Sequence, residues 1–270
     1  MNNKKWTTQE IDTLIANYGN IDCHKLAKLL PGRCINAIPQ KALALGLKGN
    51  PSVTRRVFSI NNHYFHTPNL ENSYWAGFIA ADGCVQTLRK VRLRVKVSKL
   101  DESHLAKLKE TLNYGGKIYN ITQKNRKYVS LEINGVKEII NDLQNNFKIY
   151  PNKTTTLLPP RLSLKNSLAF ITGYIDGDGC ISIETFKNKN PRIRLQITGT
   201  QAMLQWIKKI LDTIESSDAK VRKIKNKQAY EYSLASIKAA NVIYKLTKVQ
   251  VPKLHRKWNK IHIMETCNVI

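Results

Sequence analysis

Cysteine is sparse and scattered. Cys23, Cys34, Cys84, Cys180 and Cys267 are odd in number and never form a Cys-x-x-Cys pair, so neither a disulfide framework nor a zinc site is indicated. Acidic residues are scarce too: 19 Asp and Glu against 44 Lys and Arg leave a net charge of +25, a field that attracts a polyanion. No apolar run approaches transmembrane length, and no basic amphipathic helix or lipidation signal is found, so nucleic acid ranks ahead of a membrane surface. The start, Met1 to Trp6, lacks the apolar core of a signal peptide; an intracellular chain is expected, cytoplasmic (bacterial or phage) or organellar and not secreted. His63 and His66 have no carboxylate or cysteine beside them and read as surface histidines.

Two stretches repeat each other: Trp75-Ala76-Gly77-Phe78-Ile79-Ala80-Ala81-Asp82-Gly83 and Ile171-Thr172-Gly173-Tyr174-Ile175-Asp176-Gly177-Asp178-Gly179. Small residues four apart, Gly77 with Ala81 and Gly173 with Gly177, would let two helices bring their backbones close. Gly83 and Gly179 are expected as left-handed helix ends, which puts Asp82 and Asp178 where the helix dipole is negative. That placement costs about 0.3–1 kcal/mol each, and it occurs twice at matched positions. Two adjacent carboxylates ask for cations. Oxygen ligands suit Mg²⁺, and two or more such ions support metal-assisted phosphodiester cleavage.

The remaining pattern divides the chain. Residues 1–48 read as three short helices: the first opens on a Thr7/Glu10 capping box, the second runs near Cys23 to Leu30, and the third is capped by Asn36 with Pro39 in its first turn. Residues 49–70 form a linker. After Gly83 the period becomes two, with Val91, Leu93, Val95 and Val97 facing a core and Arg92, Arg94, Lys96 and Ser98 facing out. Ile193, Leu195 and Ile197 alternate likewise with Arg192, Arg194, Gln196 and Thr198. The motifs lie 178 − 82 = 96 residues apart, while aligning Ser98 with Thr198 gives 198 − 98 = 100, which places four extra residues in the second hairpin. Cys84 and Cys180 are expected as small buried residues opening the strands.

Each half then reads helix, two strands, helix, two strands, helix. The fold class is α+β: two pseudo-symmetric αββαββα repeats (71–148 and 163–270) forming paired antiparallel sheets, joined by a proline-bearing connector at 149–162 and preceded by a small all-α three-helix module. A basic helix from Pro252 to Glu265 closes the second. Two sheets with cationic faces make a DNA-binding saddle suited to a major groove, in which Arg92, Arg94, Lys96, Ser98, Arg192, Arg194, Gln196 and Thr198 are the candidate contacts.

The doubled motif resembles the LAGLIDADG homing endonucleases in their single-chain, two-repeat form. The resemblance implies a monomer that makes staggered cuts in double-stranded DNA at a long site, with Asp82 and Asp178 as catalytic metal ligands and the Ala81 and Gly177 carbonyls adding to the metal sites. The family's earlier acidic position is kept as Asp176 but is Ala80 in the first motif. It also points to a basic residue opening each closing helix, Lys137 and Lys238, to stabilise phosphate charge. Trp6 and the three N-terminal helices resemble Myb-like and helix-turn-helix modules. The alternative is a catalytically silent relative that binds intron RNA as a maturase, or DNA as a regulator.

Overall fold

The computed structural model describes residues 5–49, 58–88, 90–187 and 189–261. Three helices come first: α1 (Thr8–Asn17), α2 (Cys23–Leu29) and α3 (Ala37–Ala44). The Thr7/Glu10 capping box forms, and Asp22 caps α2 through its side chain. Asn36 precedes α3 as expected but its side chain makes no capping bond, because its backbone is already helical. Leu14, Leu26, Leu30, Ile38 and Ala42 close a small core of their own, with Trp6 packed against it.

The first repeat comprises α4 (Leu70–Asp82), β1 (Gly83–Gln86), β2 (Arg92–Ser98), α5 (Glu102–Thr111), β3 (Ile118–Gln123), β4 (Arg126–Asn134) and α6 (Lys137–Phe147). The second comprises α7 (Leu164–Asp178), β5 (Gly179–Phe186), β6 (Lys189–Gly199), α8 (Gln201–Leu211), β7 (Arg222–Lys223), β8 (Tyr230–Ala235) and α9 (Ser236–Thr247), followed by α10 (His255–Trp258). The sheets run β1-β2-β4-β3 and β5-β6-β8-β7, antiparallel throughout. One core spans both halves. Of the expected linker, residues 50–57 lie outside the described residues, as do 262–265 of the expected closing helix.

Helices α4 and α7 are the spine. Asn72 to Ala80 are all buried, so α4 has no solvent face to spare and must lie against another element. The contact is reciprocal: a Cβ on Gly77 would stand 1.9 Å from Phe170 O, and one on Gly173 1.9 Å from Tyr74 O. Only glycine lets the two backbones approach this closely.

Three expectations are corrected. Gly83 (φ −82°, ψ 154°) and Gly179 (φ −99°, ψ 157°) are extended, not left-handed. Each helix runs straight into a strand, and glycine is needed because a Cβ would fall 2.5 Å from Ile79 O or 2.6 Å from Ile175 O. Cys84 and Cys180 are not buried; strand alternation turns inward Val85 and Ile181 instead. The hairpin offset also differs. Gly83 pairs with Val95 and Gly179 with Ile197, so β2 and β6 correspond at 197 − 95 = 102, which is 102 − 96 = 6 extra residues in the second hairpin, not four. Both registers bury the same face because 100 and 102 are both even, so periodicity alone does not separate them.

Candidate endonuclease site

Asp82 and Asp178 are the last residues of α4 and α7. The helices meet down to their ends: a Cβ on Gly177 would lie 2.2 Å from Ala81 Cβ and 3.4 Å from Asp82 N. Both carboxylates stay open to solvent on one side while protein crowds the other. That partial desolvation, then the neighbouring Asp178 charge, raises the Asp82 pKa to about 6, against the pull of Lys257 and Lys153. Asp178 is raised as well, again chiefly by desolvation, with Lys153, Lys257 and the Tyr174 hydroxyl opposing. Both shifts come chiefly from desolvation of the charged form, and the pair's hard oxygen donors fit a divalent cation.

The cations acting on this pair are Lys153 and Lys257. Lys153, in the connector, donates through Nζ to the Ala80 and Ala81 carbonyls. Lys257, on α10 and 8% exposed, donates to Ile175 O (3.0 Å), Asp176 O (2.6 Å), Gly177 O (3.3 Å) and Gly179 O (2.7 Å). Lys153 on the Ala80 and Ala81 carbonyls, and Lys257 on those of Asp176 and Gly177, take up carbonyls that a helix C-terminus leaves without intrahelical partners. The Ala81 and Gly177 carbonyls therefore already accept hydrogen bonds. Lys137 is exposed at the start of α6, and Lys238 Nζ donates to Ser216 O (3.0 Å). The cations at the helix ends come instead from the segments that follow the closing helices.

Asp176 shows how α10 is held. Its carboxylate, 1% exposed, accepts from Tyr74 OH (2.6 Å), Leu254 N (3.0 Å) and Trp258 Nε1 (2.6 Å). His104 Nε2 lies 2.7 Å from the same tyrosine hydroxyl, and burial lowers its pKa to about 4. Arg256 grips Asp101 of the first repeat through two 2.6 Å contacts. These bonds tie both repeats to the helix that presents Lys257. Ala80 occupies the matching place in α4, so this anchor exists once.

The outward residues of β2 and β6 form cross-strand networks. Arg92 reaches Gln86 (3.0 Å) and Glu132 (2.9 Å); Lys96 reaches Gln123 (2.7 Å) and lies over the Tyr128 ring. Arg192 and Arg194 share Glu184, each at 2.6 Å, and Gln196 meets Glu231 at 2.6 Å. Exposed pairs of this kind are worth roughly 0–1 kcal/mol, so they orient the side chains without locking them. Arg94 has no hydrogen bond or ion pair with any described residue, and Thr198 stands half-exposed beside Gln196. Ser98 is engaged as a cap, accepting from Leu100 N at 3.3 Å.

The model of the LAGLIDADG endonuclease family matches residues 75–158 and 171–253, one match per repeat and each including its motif aspartate. The chain belongs to the LAGLIDADG endonuclease family. The paired sheets and motif helices of this LAGLIDADG chain recur in solved structures. A lysine-to-alanine variant of I-SmaMI is 15% identical, with 74% of this chain and 92% of that one covered and a TM-score of 0.53. The LAGLIDADG homing endonuclease I-GzeII, in complex with its DNA target, is 13% identical over 78% and 92% of the two chains, with a TM-score of 0.51. At such identities the likeness is one of fold. No curated protein matches the chain in sequence. Among the described residues, no helix is long and apolar enough to cross a membrane.

Proposed function

We propose that this chain is an active, site-specific endonuclease that cuts both strands of duplex DNA, one at each motif aspartate. The observation that carries the reading is the meeting of Asp82 and Asp178 at two touching helix ends, open to solvent and flanked by Lys153 and Lys257. Asp82 and Asp178 would hold Mg²⁺, with the second lone pairs of the Ala81 and Gly177 carbonyls available to it. When bound, the metal polarises the scissile phosphate and lowers the pKa of a coordinated water. Lys153 and Lys257 keep positive charge beside the aspartates, where the phosphate gains negative charge. Desolvation on the protein side strengthens each of these interactions.

The cationic strands position the duplex. Arg92, Arg94 and Lys96 on β2, with Arg192, Arg194, Gln196 and Thr198 on β6, offer phosphate contacts and base-edge donors to a major groove. Ser98, already capping, is left with at most a secondary part. Because both carboxylates come from one chain, a monomer suffices. A silent maturase or regulator has no need of both aspartates.

Cleavage of a randomised DNA library with Mg²⁺ or with chelator, sequencing the ends made by wild type and by Asp178→Asn, tests the proposal. Ends at one long motif, lost with chelator and with the variant, are expected. Binding without ends would transfer the protein to the silent, regulatory reading.

A further inference from the structure

Away from the helix ends, three side chains of the first repeat converge. His63 and His66 lie on the turn preceding α4 and Asp142 on α6, with one nitrogen of each imidazole and a carboxylate oxygen all within 4.8 Å of one another. His66 Nδ1 and Asp142 Oδ1 are 3.4 Å apart, which is the edge of a tetrahedron with metal bonds of ~2.1 Å.

The scaffold beneath them is fixed by the protein. His63 N donates to Asn61 Oδ1 (3.1 Å) and His66 N to His63 O (3.1 Å), which shapes the turn. One helical turn beyond Asp142, Asn146 Nδ2 donates to Phe65 O (2.9 Å) and His66 O (2.7 Å). Phe65 is fully buried and meets the Phe147 ring edge-on at 6.0 Å. The turn and α6 are therefore bolted together one helical turn from the cluster. Asp142 is 14% exposed in its side chain, and its Oδ2 is buried with no hydrogen-bond partner among the described residues, which leaves a costly carboxylate half satisfied. Both imidazoles remain exposed, so an ion can reach them.

We propose that His63, His66 and Asp142 form a binding site for a divalent transition-metal cation of the zinc class, with water as fourth ligand. Two imidazoles and one carboxylate suit Zn²⁺, whereas Mg²⁺ takes oxygen shells. The site is separate from the aspartate pair and does not depend on cleavage. Its bound ion clamps the segment entering α4 onto α6.

The full chain, stripped with chelator and held in millimolar Mg²⁺ to occupy the aspartate pair, is titrated with Zn²⁺ by calorimetry and with Co²⁺ by visible absorption. Wild type should take up one equivalent and show a zinc-dependent rise in Tm. His63→Ala/His66→Ala and Asp142→Asn should each weaken uptake by ~10-fold or more and lose the Tm shift. The exposed histidines make the double variant safe for folding, and circular dichroism checks this. No saturable uptake by wild type, or equal uptake by the double variant, would overturn the site.

Discussion

A methyl group on Gly177 would stand 2.2 Å from the Ala81 Cβ, so one residue in each helix sets how close the two carboxylate-bearing ends come. Gly177→Ala should destabilise the fold by about 1–3 kcal/mol through overpacking. Adding Ala81→Gly moves the methyl across the same contact and should restore most of the loss. A double-mutant cycle by denaturant unfolding reads the coupling; strict additivity would mean that the two residues do not share this space.

Lys257 serves four carbonyls and faces the aspartates. In Lys257→Met, DNA cleavage should fall by about 10²–10³, the scale for loss of one charge-stabilising donor, while affinity for DNA falls much less. Lys153→Met should act in the same direction. Single-turnover cleavage beside equilibrium binding separates the two effects, and an unchanged rate constant would remove the lysine from the chemistry.

The raised Asp82 pKa predicts a pH signature. The folded chain keeps that proton up to about pH 6, whereas the ordinary value is 3.8. Its stabilising contribution is complete below the unfolded value and disappears as pH rises through the folded one. In chelator, Asp82→Asn should therefore be more stable than wild type above pH 6, with the advantage vanishing below about pH 4. Solvent on the open side of the carboxylate limits the gain to about 1 kcal/mol. Thermal melts across that window test it; Mg²⁺ should stabilise wild type and leave the variant largely unmoved.

Of the arginines on β2 and β6, Arg94 alone has no hydrogen bond or ion pair with a described residue, which leaves its guanidinium available to a base edge. Arg94→Ala should relax sequence choice at one position by about 1–3 kcal/mol. Selection from a randomised library measures the change; an equal loss for every sequence would mark a phosphate contact.

The local code was legible. Motifs 96 residues apart, small residues four apart and strands of period two depend on neighbours along the chain, and they placed α4, α7, β2, β6 and the two aspartates. Alternation could not count hairpin residues, since a shift by two preserves the buried face; pairing of Gly179 with Ile197 settled that.

Residues that act across long separations were hidden. Lys153 and Lys257 are two of 44 basic residues with no local mark, and each gains its place only when a segment far along the chain folds over a helix end. Asp142 lies 76 residues from His66, so no spacing rule joins them. By itself the sequence determined the family, the paired repeats and which carboxylates end the motif helices, because these follow from periodicity and side-chain chemistry. Tertiary structure alone decided which cations stand beside those carboxylates, and why glycine must follow them, because close approach is a property of packed backbones.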